Sequence, residues 1–185
     1  MKEEIMLAGF GGQGVLFSGQ LLGKAAVLEE KEVSFVPTYG PEMRGGLSSC
    51  GVVISNRAIS CPLITEPTAA IAFNQSSLDA LEPLVQPGGC LIFNSSLVDR
   101  KPERRDLTVM GLPANELAAE IGIPQAANMV LLGALVEATG IVDRESLLSA
   151  LQEGLPEAKH NLLPLNREAL AKGASLARPK GKRVG

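Results

Sequence analysis

The chain has 185 residues, of which 45% are hydrophobic, and its net charge is −3. That length and hydrophobic content suffice for one well-buried domain. The last eight residues contain four basic side chains and no acidic one, so removing this +4 from the total leaves −7 on residues 1–177. A body this acidic argues against a nucleic-acid-binding protein.

Three cysteines and one histidine limit the metal and nucleophile chemistry of the chain. Cys50, Cys61 and Cys90 are widely spaced and form no C-x-x-C motif, so we expect no zinc or iron–sulfur site in this chain. Their odd number and the lack of a signal peptide predict a reducing, cytoplasmic location. His160 is predicted to lie on the surface. No apolar run in the sequence is long enough to span a membrane.

In chain order, the first feature is a glycine-rich turn between a predicted strand, Ile5–Ala8, and a predicted helix that starts at Val15. Glycine tolerates a positive φ and lets a backbone or ligand approach closely. The unpaired N–H groups of a helix start can hold an anion. The candidate site residues in this turn are Gly9, Gly11, Gly12, Gln13 and Gly14.

The spacing of Gly9, Gly11 and Gly14 matches the dinucleotide-binding pattern G-x-G-x-x-G. That pattern also requires an acidic residue at the end of the second strand, about 20 residues further on. The second strand is predicted at Val33–Val36, and Pro37 and Thr38 follow it without an acid. The alternatives at this stage are an anion or dinucleotide site, or glycines that only pack a tight corner.

The segment after the second strand is neither helix nor strand by pattern, because glycine and proline interrupt both. Loops at the carboxyl edge of a parallel sheet are where such folds bind ligands and partners. We therefore predict a functional or interface loop, with an ordinary surface loop as the alternative. Its residues are Tyr39, Gly40, Pro41, Glu42, Met43, Arg44 and Gly45.

The remaining pattern predicts strands and helices in alternation, followed by helices alone. A hairpin is predicted from Ser48–Ser55 and Ala58–Ser60, joined by Asn56 and Arg57. Further strands are predicted at Ala69–Phe73, Cys90–Phe93 and Leu107–Met110. Helices are predicted at Leu78–Leu84 (capped by Ser76 or Ser77), Ala114–Ile121, Met129–Ala138, Asp143–Leu151 (capped by Asp143) and Glu157–Leu176 (one helix or a pair, interrupted at Pro164).

This order predicts one α/β domain, residues 1–176, with a mostly parallel sheet, an antiparallel hairpin and a helical C-terminal part. Residues 177–185 are predicted to form a basic, flexible tail. The helix at Met129–Ala138 is almost wholly apolar, which predicts burial inside the domain or against a partner.

Three further residues are candidates for the edge of a pocket. Asn94 and Ser95 end a predicted strand at the carboxyl edge, where they either meet a ligand or satisfy strand-end backbone groups. Asn128 is predicted to be the N-cap of the apolar helix, and a position facing the active site is the alternative.

Two motifs together resemble the gamma subunit of the 2-oxoacid:ferredoxin oxidoreductases. They are Gly-Phe-Gly-Gly-Gln-Gly-Val at Gly9–Val15 and Tyr-Gly-Pro-Glu-Met-Arg-Gly-Gly at Tyr39–Gly46. The resemblance continues through Asn94–Ser96 and Asn128–Ala134 and covers nearly the whole chain. It is strongest to the 2-oxoglutarate type, with the pyruvate, 2-oxoisovalerate and indolepyruvate enzymes as relatives.

The resemblance implies a Rossmann-like, three-layer domain in a complex that decarboxylates a 2-oxoacid on thiamine diphosphate. Electrons pass through iron–sulfur clusters to ferredoxin, and acyl-CoA is released. Thiamine diphosphate, Mg and the clusters belong to the alpha, beta and, where present, delta subunits. The gamma chain completes the assembly and helps to shape a coenzyme A pocket, and it is expected to hold no catalytic residue and no metal ligand.

On this interpretation, Gly11–Gly14 hold either a phosphate of coenzyme A or the backbone of a partner subunit. Arg44 adds a guanidinium suited to phosphate or carboxylate, and Glu42 pairs with Arg44 or with a basic group of a partner. Tyr39 and Met43 are interface anchors. The alternative function is a stand-alone dinucleotide- or CoA-binding oxidoreductase or regulatory module. The isolated chain is expected to form a homodimer, because the apolar helix and the Tyr39–Gly46 loop would otherwise be exposed.

Overall fold

The structure is a computed structural model that describes residues 1–39 and 47–177. The strands are β1 (Lys2–Phe10), β2 (Glu32–Tyr39), β3 (Leu47–Ser55), β4 (Ala69–Ala72), β5 (Cys90–Asn94) and β6 (Thr108–Leu112). The α-helices are α1 (Val15–Leu28), α2 (Gln75–Leu81), α3 (Ala114–Ile121), α4 (Ala127–Thr139), α5 (Arg144–Gly154) and α6 (Leu163–Leu176), and short 3-10 helices span Pro124–Ala126 and Glu157–Leu162.

The described strands form one six-stranded sheet in the order β2-β3-β1-β4-β5-β6. Strand β3 pairs antiparallel with both β1 and β2, whereas β1, β4, β5 and β6 pair in parallel. Strands β1 and β2 therefore run in the same direction on either side of β3. As a result, the carboxyl ends of five strands meet at one edge of the sheet, where Phe10 pairs with Leu47 and Tyr39 pairs with Ser48.

The predicted hairpin between Ser48–Ser55 and Ala58–Ser60 is wrong. The actual hairpin joins β2 to β3 through residues 40–46. Because β1 and β2 occupy both edges of β3, residues 58–60 have no free edge of that strand with which to pair. The segment between β3 and β4 is irregular instead, and Ile64 lies above Gly51 of β3.

The sheet is covered unequally on its two faces, which confirms the predicted three-layer arrangement. Alternate residues of β3 (Cys50, Val52 and Ile54) are buried in the same core as apolar residues of α1 and of α3 to α6. A smaller core on the opposite face contains residues of α2, including Leu78 and Leu81, and β4 is buried on both faces. No helix among the described residues is long and apolar enough to cross a membrane.

Helix α4 is buried inside the domain, which decides between the two predicted positions for the apolar helix. Ten of its thirteen residues are buried. It crosses α6 at two glycines that leave no room for a side chain. A Cβ on Gly133 would lie 2.0 Å from the carbonyl oxygen of Leu170, and a Cβ on Gly173 would lie 1.8 Å from that of Val130.

The capping contacts of two helices differ from their predictions. Helix α2 is capped by Asn74, whose Oδ1 accepts the backbone N–H of Ser77 at 3.0 Å, so the cap is neither Ser76 nor Ser77. Asp143 occupies the N-cap position of α5 as predicted, but its side chain makes no capping hydrogen bond.

A buried carboxylate holds the charged segment between β5 and β6 against the end of α2. Glu82 is 5% exposed and pairs with the guanidinium of Arg100 at 2.8 Å. It also accepts the backbone N–H groups of Glu103 and Arg104. Burial alone raises the pKa of Glu82, but these N–H groups and the Arg100 guanidinium outweigh burial and hold the pKa below its ordinary value.

We predict that Gly133→Ala and Gly173→Ala each lower the free energy of unfolding by at least about 3 kcal/mol, the upper end of the usual effect of overpacking. The reason is that each new methyl group would meet backbone rather than a movable side chain. Urea denaturation measures the effect. The matched control is Gly154→Ala at the end of α5, where the nearest atom to the new Cβ is 3.8 Å away. Equal stability of all three variants would contradict the close crossing.

We predict that Glu82→Gln lowers the free energy of unfolding at pH 7 by about 1.5–3 kcal/mol, the range for hydrogen bonds to charged groups. Because the folded-state pKa of Glu82 is lowered, its stabilisation is full above the unfolded value of about 4.3 and is lost as the pH falls through the folded pKa. The variant should therefore lose less stability than the wild type on acidification. Glu120→Gln, at an exposed position of α3, is the control.

Candidate functional site

The glycine corner, residues Gly9–Gly14, joins β1 to α1 at the carboxyl edge of the sheet. Gly12 has φ +94° and Gly14 has φ +78°, and L side chains rarely adopt either value. Gly14 is the N-cap residue of α1 and provides no side-chain cap. The predicted strand, glycine turn and helix are thus all confirmed.

The first half of the glycine corner is fixed by an amide side chain that folds back on it. The Oε1 atom of Gln13 accepts the backbone N–H of Phe10 at 2.6 Å and the Nδ2–H of Asn74 at 2.9 Å. Asn74 is 5% exposed and caps α2 with its other amide atom. The corner is therefore tied to the start of α2 on one face of the sheet.

The second half is held from the other face by the start of α4. Asn128 is 6% exposed, and its Nδ2 donates to the carbonyl oxygen of Gly14 at 3.4 Å and to the hydroxyl of Ser18 at 3.3 Å. The predicted N-cap role of Asn128 is wrong. The turn at Pro124–Ala126 makes Ala126 the N-cap, so Asn128 lies within the first helical turn and its side chain turns toward α1.

The hydrogen bonds leave the glycine corner rich in free donors. The carbonyl of Gly14 accepts the N–H and the hydroxyl of Ser18 as well as Asn128. Within the described part of the chain, we find no acceptor for the N–H groups of Val15, Leu16 and Phe17 in the first turn of α1. That turn contains no acidic residue, so its partial positive charge is not neutralised locally.

Asn94 and Ser95 are not brought to the glycine corner. Strand β4 separates β5 from β1, so the end of β5 lies two strand spacings, about 10 Å, from the end of β1. Asn94 is 2% exposed and accepts the N–H groups of Ser96 and Ala114, each at 3.2 Å. It also donates to Asn115 at 2.9 Å, so it satisfies strand-end and helix-start groups. Ser95 is exposed.

The predicted loop of Gly40, Pro41, Glu42, Met43, Arg44 and Gly45 lies outside the described residues. Its two ends are at the carboxyl edge, since Tyr39 ends β2 and Leu47 begins β3. Phe10 and Leu47 pair in register beside the glycine corner and are 36% and 51% exposed. Apolar side chains therefore reach solvent next to both candidate segments.

The sheet order explains the missing ribose acid. In the dinucleotide fold the acidic residue ends a strand close to the glycine turn. Here β3 lies between β1 and β2, so the end of β2 is displaced from the glycine corner by an extra strand. The glycine spacing is present without the arrangement that binds a ribose.

The thiol of Cys50 lies beneath α1 and is not a candidate nucleophile. It contacts the carbonyl oxygen of Val15 at 3.8 Å, and burial raises the pKa of the thiol to about 12. A thiol with this pKa stays protonated at neutral pH. Its role is packing, because a Cβ on Gly19 of α1 would lie 2.5 Å from its sulfur.

Sequence reasoning missed Asn74 and Ser18 as parts of the site. Asn74 directly follows a buried strand and precedes a helix, and an asparagine at such a boundary is a common N-cap, so a signal was present. Ser18 carried no such signal. It is wholly buried in α1, and its role depends on Asn128, which is 110 residues away in sequence.

Fold and site together define an α/β protein that presents a donor-rich glycine turn at the carboxyl edge of a mixed sheet. The pyruvate ferredoxin/flavodoxin oxidoreductase family model matches residues 4–176. The chain belongs to this family, and the resemblance seen in its two glycine motifs is confirmed.

Two curated relatives show how the chain relates to whole proteins. It is 38% identical to the 2-oxoglutarate synthase subunit KorC of Methanocaldococcus jannaschii, covering 96% of this chain and 95% of KorC. It is 40% identical to the ketoisovalerate oxidoreductase subunit VorA of Methanothermobacter marburgensis, but there it spans only 37% of the relative's length. The fold thus occurs both as a separate subunit and as part of a longer chain.

Solved structures agree with this assignment. The gamma subunit of a keto/oxoacid ferredoxin oxidoreductase from Geobacter sulfurreducens has a TM-score of 0.84 and 31% identity, with 95% of this chain and 96% of that chain covered. A 2-oxoglutarate:ferredoxin oxidoreductase from Magnetococcus marinus, solved with 2-oxoglutarate, coenzyme A and succinyl-CoA bound, has a TM-score of 0.88 and 26% identity. The match covers 97% of this chain and 32% of that one.

We predict that Gly14→Ala destabilises the protein more than Gly12→Ala does. Both positions have positive φ, so each alanine should lower stability by about 1–2 kcal/mol through backbone strain. Only the Cβ at Gly14 meets another residue, at 2.4 Å from Nδ2 of Asn128, whereas the Cβ at Gly12 meets nothing within 4 Å.

Thermal and urea denaturation of both variants measure this difference. Since the backbone strain is common to the two positions, the additional loss of stability in Gly14→Ala reports the packing of Asn128 against the corner. Equal losses would show that Asn128 does not constrain Gly14.

Proposed function

We propose that this chain is the gamma subunit of a 2-oxoglutarate:ferredoxin oxidoreductase, in which it helps to bind coenzyme A for the oxidative decarboxylation of a 2-oxoacid. The observation that carries the proposal is the start of α1 at the glycine corner. The carbonyl of Gly14 is occupied there, while the N–H groups of Val15, Leu16 and Phe17 have no acceptor among the described residues. The match to KorC over 95% of that subunit favours the 2-oxoglutarate type. Family membership favours this function over a stand-alone oxidoreductase or regulatory module.

The bound group at the glycine corner would be a phosphate of coenzyme A. A phosphate suits an array of N–H donors at a helix N-terminus. The side chains that contact the corner, Asn74, Asn128 and Ser18, are neutral, so none of them repels an anion. The Magnetococcus enzyme binds coenzyme A, which supports the choice of ligand. A role for Gly11–Gly14 in packing against a partner's backbone is the alternative.

The chemistry of the reaction would take place on other subunits. The sequence of this chain has three scattered cysteines and one histidine, which supports placing thiamine diphosphate, Mg and the iron–sulfur clusters on the alpha, beta and, where present, delta subunits. When bound there, these groups would oxidise the 2-oxoacid and deliver electrons to ferredoxin. This chain would position coenzyme A, with Asn128 at the pocket edge, and would supply no catalytic residue.

The partner subunits would pack against the carboxyl edge beside the glycine corner. Support comes from the exposed apolar side chains of Phe10 and Leu47, which flank the corner and the loop at residues 40–46. Tyr39 and Met43 would be anchors there, and Glu42 would pair with Arg44 or with a partner. The homodimer expected of the isolated chain stays a prediction, and burial of α4 within the domain removes one of its two grounds.

The experiment that tests the proposed function is native purification of the tagged chain from its source cells, with proteins and small molecules identified by mass spectrometry. We expect recovery with a thiamine-binding subunit and a cluster-bearing subunit, and 2-oxoglutarate oxidation by the purified complex. Recovery of the chain alone with NAD or FAD would contradict the proposal. Recovery with subunits that oxidise only another 2-oxoacid would contradict the choice of 2-oxoglutarate.

We predict that Arg44→Ala raises the KM of the complex for coenzyme A by about tenfold, which corresponds to about 1.4 kcal/mol, because a guanidinium–phosphate contact is lost. Unfolding of the chain should be unchanged. Steady-state kinetics and urea denaturation give the two quantities. If Arg44→Ala lowers the free energies of coenzyme A binding and of unfolding equally, the assignment of Arg44 to coenzyme A binding is contradicted.

A further inference from the structure

Two buried asparagines hold the glycine corner from opposite layers of the fold. Asn74 stands at the start of α2 on one face of the sheet, and Asn128 stands in the first turn of α4 on the other. They are 5% and 6% exposed. Each donates an amide N–H to an oxygen of the corner, Gln13 Oε1 and the Gly14 carbonyl respectively.

These bonds fix two acceptors of the corner, Gln13 Oε1 and the Gly14 carbonyl, and use none of the N–H groups in the first turn of α1. The carbonyl oxygen of Gly14 is engaged by the N–H of Ser18 at 3.0 Å, the hydroxyl of Ser18 at 2.9 Å and Nδ2 of Asn128 at 3.4 Å. An acceptor held in this way cannot turn toward an anion bound at the N-terminus of α1. The contact is also close, because a Cβ on Gly14 would overlap the amide of Asn128.

We propose that Asn128 is a positioning residue for coenzyme A, which acts through the Gly14 carbonyl and Ser18 to orient the first turn of α1 toward a phosphate. Asn74 acts in the same way on Gln13 from the opposite face. This inference rests on the proposed function, since it names the residues that preorganise the coenzyme A site. Preorganised donors bind an anion more tightly because less ordering is required on binding.

The replacement Asn128→Asp tests this role with little change in shape. It exchanges the donor that faces Gly14 for an oxygen, which repels the Gly14 carbonyl and places a negative charge beside the proposed phosphate. The matched control is Asn166→Asp in α6. Asn166 is 7% exposed and donates to the carbonyl of Leu162 at 2.9 Å, so it is equally buried but belongs to another contact.

The measurement uses the whole purified complex with two thiol substrates, coenzyme A and pantetheine, the second of which lacks the phosphates. We expect Asn128→Asp to raise the KM for coenzyme A at least about tenfold relative to Asn166→Asp, a ratio equivalent to about 1.4 kcal/mol. The KM for the 2-oxoacid and the kinetics with pantetheine should not change. Asn128→Ser keeps a small polar group and should restore part of the affinity for coenzyme A. It replaces Asn128→Asp as the test variant if the aspartate variant does not assemble.

Other outcomes would separate a failure of this inference from a failure of the proposed function. If the wild-type complex prefers coenzyme A to pantetheine but Asn128→Asp and Asn166→Asp have equal KM values, Asn128 is merely structural and the inference is wrong. The same conclusion follows if the Asn128 variants change the KM for pantetheine as much as that for coenzyme A. If the wild type uses both thiols equally, no phosphate site exists, and both the proposed coenzyme A role and the inference are wrong.

Discussion

The position of α4 depends on three glycines, which have no side chain and so allow close contact of α4 with α6 and with the start of α1. Gly133 and Gly173 bring the backbones of α4 and α6 into contact, and Gly14 gives the first turn of α4 room beside the start of α1. A methyl group at any of these three places would meet atoms at 2.4 Å or less. Because α4 is the apolar helix at the centre of the larger core, its placement sets how α1, α3 and α6 pack on the sheet. The same placement carries Asn128 to the glycine corner.

This arrangement indicates how a chain that is proposed to hold no catalytic residue would contribute to an enzyme. The sheet and α4 hold a turn in which the backbone N–H groups of Val15, Leu16 and Phe17 have no acceptor among the described residues. Such a turn is suited to orient an anionic cofactor, whereas the redox and decarboxylation chemistry of the family would be supplied by other subunits. The occurrence of the fold as a separate subunit in KorC and as 37% of VorA fits a module that functions beside other domains or subunits.

The local parts of the fold were predictable because their causes are local. The strand before Gly9, the glycine turn and helix α1 follow from apolar runs, apolar spacing and glycine geometry within 30 residues. The placement of β3 between β1 and β2 and the role of Asn128 depend on contacts between residues far apart in sequence. A short-range sequence pattern does not predict such contacts. The functional role of the loop at residues 40–46 remains a prediction, as does the pocket-edge role of Asn94 and Ser95.

The central claim, that this chain supplies part of the coenzyme A site of a 2-oxoacid:ferredoxin oxidoreductase, is tested most directly by reconstitution. The remaining subunits are purified with and without this chain, and 2-oxoglutarate oxidation and succinyl-CoA formation are followed together over a range of coenzyme A concentrations. We expect succinyl-CoA formation to require the chain and to saturate with coenzyme A only when the chain is present. Saturation at the same coenzyme A concentration without the chain would contradict the account.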